Sequence, residues 1–440
     1  MKPLNLSNNM KSPLKEEDRK NMLEKSLEEL SDEQRNAFDD VNEGRHTLIT
    51  GMGGAGKSFL LDHITDILGC QVTASTGIAA LNVGGATIHS WTGLGIGRTK
   101  PDKLVSNLKY KELRFNDRTL RRIERTQRLA IDEISMLDGR YLTLVDEFLR
   151  RARKQDIPFG GIQMVFLGDF LQLPPVTQVT IPQFAFETDV WKEMDVKIHM
   201  LTKSFRQDDQ WFVDLLQKVR MGERSMELLQ YLNDRFVAVD PHPEVPGMVV
   251  HTHNAGCDQL NAEGLAKCQG KEQTYKASDW GVHESFINQL DRSCLAPKEL
   301  TLRVGCRVML LKNVDIYGGL ANGSMGTVVD LHDKEVHVQF DSRSHPTEID
   351  TAEWELTNGD ETLAKRTQIP LRLGYAVTVH KSQGMSLDKM YAHLDQCFSP
   401  GQAYVALSRV RTPSGLFLHG SPNINIKANS RAVKFYQDIK

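Results

Sequence analysis

An eight-residue glycine-rich loop, GMGGAGKS at residues 51–58, limits the folds open to this chain more than any other segment. It matches the pattern G-x-x-x-x-G-K-[ST] in full, follows the apolar strand candidate Thr47–Thr50 and precedes the helical pattern Lys57–Leu68. Glycines let the backbone wrap a phosphate so that successive N–H groups point inward, and the start of the helix adds its positive end. A strand, this loop and a helix in that order predict an α/β domain with a phosphate-binding site.

The loop predicts a nucleotide site at its own residues. Lys57 would bring a positive charge to the outer phosphates, and Ser58 could hold Mg²⁺. The predicted cofactor-binding residues of the loop are Gly51, Met52, Gly53, Gly54, Ala55, Gly56, Lys57, Ser58 and Phe59. The loop also fits G-x-G-x-x-G, but dinucleotide binding needs an acid about 20 residues further on, and residues 75–82, STGIAALN, contain none. The phosphate loop of an NTPase is therefore favoured over a Rossmann site or a chance glycine turn.

Polar residues follow two later strand candidates. Asp132 and Glu133 come directly after the apolar string RLAI, and Gln172 follows the string MVFLGDF. The carboxyl ends of parallel strands face the ligand. Asp132 is therefore predicted to hold Mg²⁺, Glu133 to orient and deprotonate water, and Gln172 to sense the terminal phosphate. The alternatives are an exposed strand end for the two acids and a plain polar loop for Gln172.

The length and pattern of the whole chain predict more than one domain. Single cores stop growing beyond roughly 250–300 residues, and this chain has 440. Strand candidates alternate with helices up to about residue 200 and again beyond it, and short strands with turn signals lie between 301 and 372. The predicted parts are an N-terminal extension, flexible or helical, at 1–29; a first α/β domain at 30–200, with an insertion at about 84–128; a second α/β domain at 201–300 and 373–440; and a small inserted antiparallel barrel at 301–372.

Composition excludes several classes of protein. The 57 acidic and 54 basic residues give a net charge of −3, which excludes a wholly basic DNA-coating protein but not a local basic groove. Lys100–Arg128 holds ten Lys or Arg against four Asp or Glu, which fits either a solvated helix face or a strand contact. Six cysteines without a C-x-x-C pair indicate a reducing compartment. No apolar run reaches the roughly 18 residues of a membrane span, so we expect an intracellular protein without a membrane partner.

Eight strings of the sequence together resemble one family, the Pif1 DNA helicases of superfamily one, group B. They occur in the family's order from about Leu30 to the C-terminus. The strings FGGIQMVFLGDFLQLPPV and VHKSQGMSLD are far more specific than a phosphate loop alone. Ala55 stands where the family usually has Thr, a position that acts through its backbone. The strings are GMGGAGKS, TASTGIAALNVGGATIHSW, IDEISML, FGGIQMVFLGDFLQLPPV, LTKSFRQ, LANGSMGTVV, VHKSQGMSLD and GQAYVALSR.

The resemblance implies an α/β fold of two RecA-like parallel-sheet domains, with a wedge-like insertion and a small SH3-like barrel. It also implies an ATP-dependent DNA helicase with ATP and Mg²⁺ as cofactors. Such a helicase moves five-prime to three-prime on single-stranded DNA and unwinds duplex, in replication, repair, recombination or telomere and genome maintenance. The implied partners are single-stranded and tailed duplex DNA, with G-quadruplex DNA as a further candidate, and a monomer is expected in solution.

Further site residues come from the resemblance alone. In the family a glutamine at the position of Gln34 reads the adenine edge, although Ser31 and Gln34 also have the form of a helix capping box. Arg206 and Arg409 match arginines that reach the γ-phosphate. Asn254 matches a sensor between the DNA and ATP sites, with a turn asparagine as the alternative, and Trp91 could equally be a core residue. The implied DNA-binding residues are Thr87, His89, Trp91, Asn254, His380, Lys381, Ser382, Gln402 and Tyr404.

Two other functions stay open at this point. One is a nucleotide-switched DNA-binding ATPase subunit of a nuclease complex that does not unwind DNA alone. The other, a metabolic kinase or transporter ATPase, is disfavoured by the DNA-contact strings. Eukaryotic family members usually carry a much longer N-terminal extension than the 29 residues predicted here. This difference favours a bacterial or viral source. A cytoplasmic location, at a bacterial nucleoid or in a virus-infected cell, is therefore expected rather than a nuclear or mitochondrial one.

Overall fold

The structure, a computed structural model, describes residues 27–94, 117–175, 181–237, 247–315, 320, 322–358, 361–394, 397–420 and 424–439. Most of the predicted N-terminal extension and the centre of the predicted 84–128 insertion lie outside these residues. None of the described helices is long and apolar enough to cross a membrane. The chain divides into two compact units. The first comprises Met1–Phe170, Pro175–Lys203 and Thr357–Glu361, and the second comprises Leu171–Pro174, Ser204–Leu356 and Thr362–Lys440.

A six-stranded parallel sheet forms the centre of the first unit, in the order β3-β2-β4-β5-β1-β6. Strands β1, β4 and β5 are almost wholly buried, as expected for parallel strands covered by helices on both faces. The sequence predicts strands at Thr47–Thr50, Gln71–Ser75, Leu129–Ile131 and Met164–Leu167, and these agree with the observed β1, β2, β4 and β5 to within one residue at each end. The strands are β1 (Thr47–Gly51), β2 (Gln71–Ala74), β3 (Ala86–Thr87), β4 (Arg128–Asp132), β5 (Gln163–Leu167) and β6 (Lys197–Leu201).

Several helices of the first unit begin at residues whose side chains cap them. Asp138 caps the longest of them by accepting a hydrogen bond from the backbone N–H of Arg140. That helix buries Leu142, Val145 and Leu149, which recur at helical spacing and form an apolar stripe that packs in the core. The helices are α1 (Asp32–Asn42), α2 (Lys57–Leu68), α3 (Gly77–Asn82), α4 (Ile88–Thr92), α5 (Asp117–Arg125), α6 (Gly139–Arg153) and α7 (Asp189–Glu193).

The second unit contains a parallel sheet and a larger set of antiparallel strands. Its helices are α8 (Gln210–Met221), α9 (Met226–Asp234), α10 (Asn254–Lys267), α11 (Glu284–Ser293), α12 (Gln402–Leu407) and α13 (Ser430–Asp438). Its strands are β7 (Met248–His251), β8 (Glu272–Lys276), β9 (Ser278–Gly281), β10 (Glu299–Arg303), β11 (Arg307–Leu310), β12 (Met325–Leu331), β13 (Glu335–Phe340), β14 (Thr347–Asp350), β15 (Ala352–Asn358), β16 (Glu361–Gln368), β17 (Leu371–Leu373), β18 (Ala376–Thr378), β19 (Met390–Ala392) and β20 (Leu416–Leu418).

The parallel sheet of the second unit has the order β18-β7-β19-β20. Together with the sheet of the first unit, it confirms the predicted α/β fold with two parallel sheets. The antiparallel strands form a five-stranded sheet, β14-β13-β12-β11-β17, a three-stranded sheet, β15-β16-β9, and the pair β10-β8. This pairing starts at β8, upstream of the predicted barrel boundary at residue 301, and the domain bounds themselves stay a prediction.

The antiparallel part is held by an apolar core and by one buried ion cluster. Alternate residues of β13 point inward, and Val336 and Val338 are fully buried. Arg366 on β16 is 1% exposed, and it donates two hydrogen bonds to the Asp279 carboxylate of β9 at 2.8 and 2.7 Å. It donates a third to Asp291 at 2.7 Å. The guanidinium therefore joins two strands and α11 at one point.

Removing this guanidinium is expected to destabilise the second unit. Arg366→Met would leave the half-buried Asp279 carboxylate without its partner, a change that costs about 3–5 kcal/mol at a fully buried pair and less where, as here, the carboxylate is 14% exposed. Arg303→Met is the matched control, because Arg303 pairs with Glu272 at a largely exposed site where such pairs contribute about 0–1 kcal/mol. Hydrogen exchange of the β9 and β16 amides measures both losses. Equal protection in the two variants would contradict the role assigned to Arg366.

Candidate nucleotide and DNA site

The phosphate loop leaves β1 through backbone conformations that only glycine adopts without strain. Gly51 has φ +144°, and a Cβ there would lie 2.3 Å from the Leu201 carbonyl oxygen of β6. Gly56, with φ +80°, precedes α2 and provides no side-chain cap for it. The first N–H groups of α2 therefore remain for a ligand, and the positive end of the helix favours an anion there.

The side chain of Lys57 reaches back across the phosphate loop. Its Nζ donates to the carbonyl oxygens of Gly51 at 2.8 Å and Met52 at 3.0 Å. The side chains of the next two residues, Ser58 and Phe59, are exposed, so the Ser58 hydroxyl is accessible to an ion. The ammonium thus already lies inside the loop where outer phosphates would bind.

Gln34 links helix α1 to the phosphate loop. Its Oε1 accepts from the Ser31 N–H at 3.0 Å, and its Nε2 donates to the Gly56 carbonyl at 3.2 Å. The capping box predicted at Ser31 is confirmed. The adenine role of Gln34 stays a prediction, and a base would have to share or replace one of these bonds, because the side chain is only 1% exposed.

The acidic pair lies at the carboxyl end of β4. Burial raises the pKa of Asp132, while its hydrogen bond from the Glu133 N–H, 2.8 Å long, and the charge of Lys57 oppose the rise. Glu133 has φ +52° and ψ +45°, in the left-handed region, and the Ser75 hydroxyl donates to its carbonyl at 2.7 Å. Such a backbone costs on the order of 1–3 kcal/mol in a non-glycine residue and is concentrated at active sites. Two carboxylates are thereby held in different environments.

Two arginines come together in the second unit. Arg206 donates from Nε to the Ser386 hydroxyl at 2.9 Å and from Nη1 to the Ser408 carbonyl at 3.0 Å. Arg409 is 1% exposed and donates to the Val405 carbonyl at 2.8 Å. Burial and then the charge of Arg409 lower the pKa of Arg206 to about 9, so its guanidinium is still positive at neutral pH.

Arg206 makes no ion pair with any carboxylate in the described part of the chain. Two positive charges therefore lie close together with neutral oxygens around the first of them. Mutual repulsion of the guanidinium groups would be relieved by an anion. This arrangement is the electrostatic property that a phosphate-binding position requires.

Gln172 belongs to the second unit rather than to the first. Its Oε1 accepts a hydrogen bond from Nε2 of Gln383 at 3.4 Å. A Cβ on Gly401 would lie 2.2 Å from the Gln172 carbonyl, so this backbone contact requires glycine. The sequence reasoning did not select Gln383, Ser386 or Ser408. Their only signal was that they lie within the strings VHKSQGMSLD and GQAYVALSR.

The DNA candidates of the first unit are more enclosed than expected. Thr87 accepts a hydrogen bond from the Ser90 N–H as the cap of α4. Burial lowers the pKa of His89 to about 4, so this imidazole is neutral near pH 7. Trp91 is 1% exposed, and the guanidinium of Arg122 lies 5.4 Å from its ring centroid. In this conformation the Trp91 ring is part of the core, the alternative left open above, and is not available to stack on a base.

In the second unit, Asn254 and Lys381 are the accessible DNA candidates. Asn254 is exposed at the first residue of α10, and Lys381 is half-buried. Burial lowers the pKa of His380, so it does not supply a cation at neutral pH. Ser382 is fully buried and its hydroxyl donates to the Val379 carbonyl at 2.8 Å. Lys381 is therefore the positive charge that this segment can offer to a phosphate.

Gln402 and Tyr404 are also buried, on the first turns of α12. Gln402 Oε1 accepts from the backbone N–H groups of Phe398 at 3.0 Å and Ser399 at 3.3 Å. This glutamine thus fixes the loop before α12. The structure leaves its predicted DNA contact untested, and it shows a positioning role that the motif did not indicate.

A complete phosphate loop at the end of a buried parallel strand, with an acidic pair two strands away in the same sheet, defines a P-loop nucleoside triphosphatase. The comparisons with known proteins identify its family. The family model for PIF1-like helicases matches residues 29–228, and the model for the 2B domain of the DNA helicase Pif1 matches residues 285–331. The ATP-dependent DNA helicase Pif1 of Bdellovibrio bacteriovorus is 34% identical over 94% of this chain and 92% of its own length. The chain belongs to the Pif1 family of ATP-dependent DNA helicases.

Further relatives and solved structures belong to the same family. Human ATP-dependent DNA helicase PIF1 is 35% identical over 94% of this chain, which spans 64% of the human protein. A crystal structure of Bacteroides sp Pif1 in complex with ADP-AlF4 has a TM-score of 0.82 at 30% identity, covering 93% of this chain and 96% of that one. A Candida albicans Pif1 structure has a TM-score of 0.72 at 33% identity, covering 93% of this chain and 99% of that one. These neighbours confirm the RecA-like fold, and the predicted family and ATP-hydrolysing activity are confirmed with it.

The two bonds accepted by Gln402 predict a stability effect. Gln402→Ala would leave two backbone N–H groups without their acceptor, at a cost of about 1–3 kcal/mol. Gln259→Ala is the control, because that amide is exposed on α10 and donates to the exposed Glu263 carboxylate, so a change within about 0.5 kcal/mol is expected. Hydrogen exchange at Phe398 and Ser399 gives the local readout. A Gln402→Ala protein of unchanged stability but weaker DNA binding would assign the residue to DNA instead.

Proposed function

We propose that this chain is a motor that hydrolyses ATP to move five-prime to three-prime along single-stranded DNA and to open duplex ahead of it. The observation that carries the proposal is the phosphate loop at the end of β1, with Asp132 and Glu133 at the end of β4 of the same sheet, in a chain of a family of ATP-dependent DNA helicases. The first unit holds these groups, and the second holds Arg206 and Arg409, the arginines that match those of the family.

The first unit fits ATP with Mg²⁺. Ser58 offers an exposed hydroxyl and Asp132 a carboxylate oxygen, the hard oxygen donors that Mg²⁺ prefers. A bound Mg²⁺ would neutralise charge on the β- and γ-phosphate oxygens. Lys57 holds the outer phosphates, and Glu133 orients the attacking water and accepts its proton. Arg206 and Arg409 stabilise the negative charge that develops on the transferred group.

The DNA partner is supported by solved relatives. Bacteroides Pif1 bound to single-stranded DNA has a TM-score of 0.63 to this chain at 30% identity. A structure described as DNA unwinding at forked dsDNA by two coordinating Pif1 helicases has a TM-score of 0.63 at 31% identity. In this chain Lys381 and Asn254 are the described candidates best placed to contact the backbone of such a strand. A lysine that neutralises a DNA phosphate releases counterions from the strand. DNA binding through Lys381 is therefore expected to weaken as the salt concentration rises.

Finer points rest on the family resemblance. These are the direction of movement, activity on G-quadruplex DNA, a monomeric state in solution and a role in replication, repair, recombination or telomere maintenance. An enzyme that needs both DNA and ATP is expected to work inside a cell, and the Bdellovibrio relative supports a bacterial setting. The alternative of a nuclease-complex subunit finds no support, since the matched relatives are named as helicases.

Arg206→Ala is expected to abolish most DNA-stimulated ATP hydrolysis. The loss should reach about 10³–10⁵ in rate, as for arginines that stabilise a transferring phosphate. Nucleotide binding and affinity for single-stranded DNA should change little. Arg206→Lys should rescue only part of the rate, because a point charge lacks the planar fork. The measurement is the ATPase rate at saturating single-stranded DNA, alongside DNA affinity.

Arg411→Ala is the matched control for that experiment. Arg411 lies two residues after Arg409, is 45% exposed and pairs with Asp388 at 3.3 Å, so its loss should leave the rate close to that of the unchanged protein. If Arg206→Ala instead hydrolyses ATP normally and fails to hold DNA, the arginine belongs to the DNA path.

Strand separation tests the motor itself. The purified chain should unwind a duplex with a five-prime single-stranded tail faster than the same duplex with a three-prime tail. Lys57→Ala, which lacks the ammonium inside the loop, should unwind neither. Faster unwinding of the three-prime-tailed duplex would reverse the proposed direction, and ATP hydrolysis without any strand separation would favour the nuclease-subunit alternative.

A further inference from the structure

A group of imidazoles and carboxylates lies in the five-stranded antiparallel sheet, apart from every residue assigned to ATP or DNA. His332, Glu335 and His337 each offer one ligand atom, and these atoms lie within 4.8 Å of one another. Glu335 forms a second such group with Glu348 and Asp350. These five residues are called the hairpin cluster below, because β12, β13 and the turn between them provide its centre.

Strand register brings the hairpin cluster together. On β13, the fully buried Val336 alternates with Glu335 and His337, so those two side chains share the opposite, solvent-facing side. On β14, Asp350 pairs with Glu335 and Glu348 pairs with His337. Side chains of directly opposed residues on one face are neighbours. The apolar half of the same alternation packs the core, so the sheet cannot slip without losing both arrangements.

One ligand distance within the cluster, and one to the neighbouring Asp330, are close to those of a tetrahedral metal site. The Nε2 atom of His337 lies 3.4 Å from a carboxylate oxygen of Glu335. On the other side of the turn, Nε2 of His332 lies 3.2 Å from a carboxylate oxygen of Asp330 on β12. Two ligands bound at zinc distances of about 2.0–2.1 Å to a tetrahedral ion lie about 3.3–3.4 Å apart. The two imidazole rings have their centroids 4.9 Å apart, so little movement would bring both to one ion.

One nitrogen of the cluster is enclosed by protein atoms. Among the residues that the structure describes, Nε2 of His337 makes no hydrogen bond, and its 3.4 Å contact with the Glu335 carboxylate is an ion pair only when the ring is protonated. Around it stand the carboxylates of Asp330, Glu335, Glu348 and Asp350. Two lysines lie near the cluster: Lys271 donates to the Leu331 carbonyl at 2.8 Å, and Lys334 is exposed in the turn itself. The carboxylates still outnumber these two positive charges, and a divalent cation would compensate the surplus negative charge.

We propose that the hairpin cluster binds one divalent transition-metal ion of the zinc type, through His332, His337 and Glu335, with Asp330 or Glu348 as a further carboxylate ligand. Imidazole with carboxylate suits Zn²⁺, Ni²⁺ and Cu²⁺, whereas Mg²⁺ and Ca²⁺ favour oxygen alone. The site is therefore separate in chemistry from the Mg²⁺ that accompanies ATP. A bound ion joins β12 to β13 across their turn and stabilises the folded sheet by mass action.

The test is a zinc titration of the full chain without nucleotide, after treatment with a chelator. Calorimetry should show a Zn²⁺ site that excess Mg²⁺ does not displace, and Zn²⁺ should raise the thermal unfolding midpoint. The double variant His332→Ala with His337→Ala should lose that site, with affinity falling more than about tenfold, since even partners outside the ligand shell cost that much. Co²⁺ in place of Zn²⁺ should give a tetrahedral visible spectrum in the unchanged protein and not in the variant.

His345→Ala is the matched control, because His345 is an exposed histidine between β13 and β14 and lies outside the hairpin cluster. It should keep the zinc site. DNA-stimulated ATP hydrolysis by all three proteins shows that each is folded. The proposal is overturned if the double variant binds Zn²⁺ as tightly as the unchanged chain, if His345→Ala loses the site, or if Mg²⁺ displaces Zn²⁺ at equal concentration.

Discussion

Hydrogen bonding of β1 between β5 and β6 fixes the position of the phosphate loop, and the chemistry of the first unit depends on that position. Every residue of β1 is buried, and Gly51 pairs directly with Leu201 of β6. The pairing is so close that no side chain fits at Gly51, which forces the loop out of the sheet in one direction. β5 lies between β1 and β4, so the loop and Asp132 leave the sheet about 10 Å apart, twice the spacing of neighbouring strands. A phosphate chain with its metal ion can span such a gap.

The second unit contributes two positively charged side chains, Arg206 and Arg409. Arg206 is held by neutral oxygens of Ser386 and Ser408, and it lies close enough to Arg409 for the two charges to repel. Maintaining two such charges costs free energy in the absence of an anion, and a phosphate would recover it. The two arginines come from motifs distant in sequence, LTKSFRQ and GQAYVALSR, and their proximity is what the proposed phosphate role requires.

The nucleotide half of the site could be predicted from the sequence, because its residues lie in short strings at strand ends. Helix α2 was predicted to the residue, since glycines in the left-handed region bound it at both ends. The environment of the DNA-binding candidates was harder to predict, because the burial of a side chain depends on segments far away in sequence. Nothing in the string ATIHSW shows that Arg122 packs on Trp91, and nothing in VHKSQG shows that the Ser382 hydroxyl is used internally. The Gln172–Gln383 bond and the hairpin cluster likewise depend on pairing that one sequence does not display.

We propose that Glu133, the strained acid after β4, performs hydrolysis while the rest of the first unit holds the nucleotide. Glu133→Gln keeps the size and backbone of the side chain and removes its ability to take a proton. Single-turnover hydrolysis with saturating single-stranded DNA, measured beside the affinity for Mg²⁺–ATP, separates the two roles. Affinity should stay within about threefold, while the rate should fall by about 10²–10⁴, the usual contribution of a general base. A variant that hydrolyses ATP at the original rate, or that loses affinity and rate together, would contradict the account.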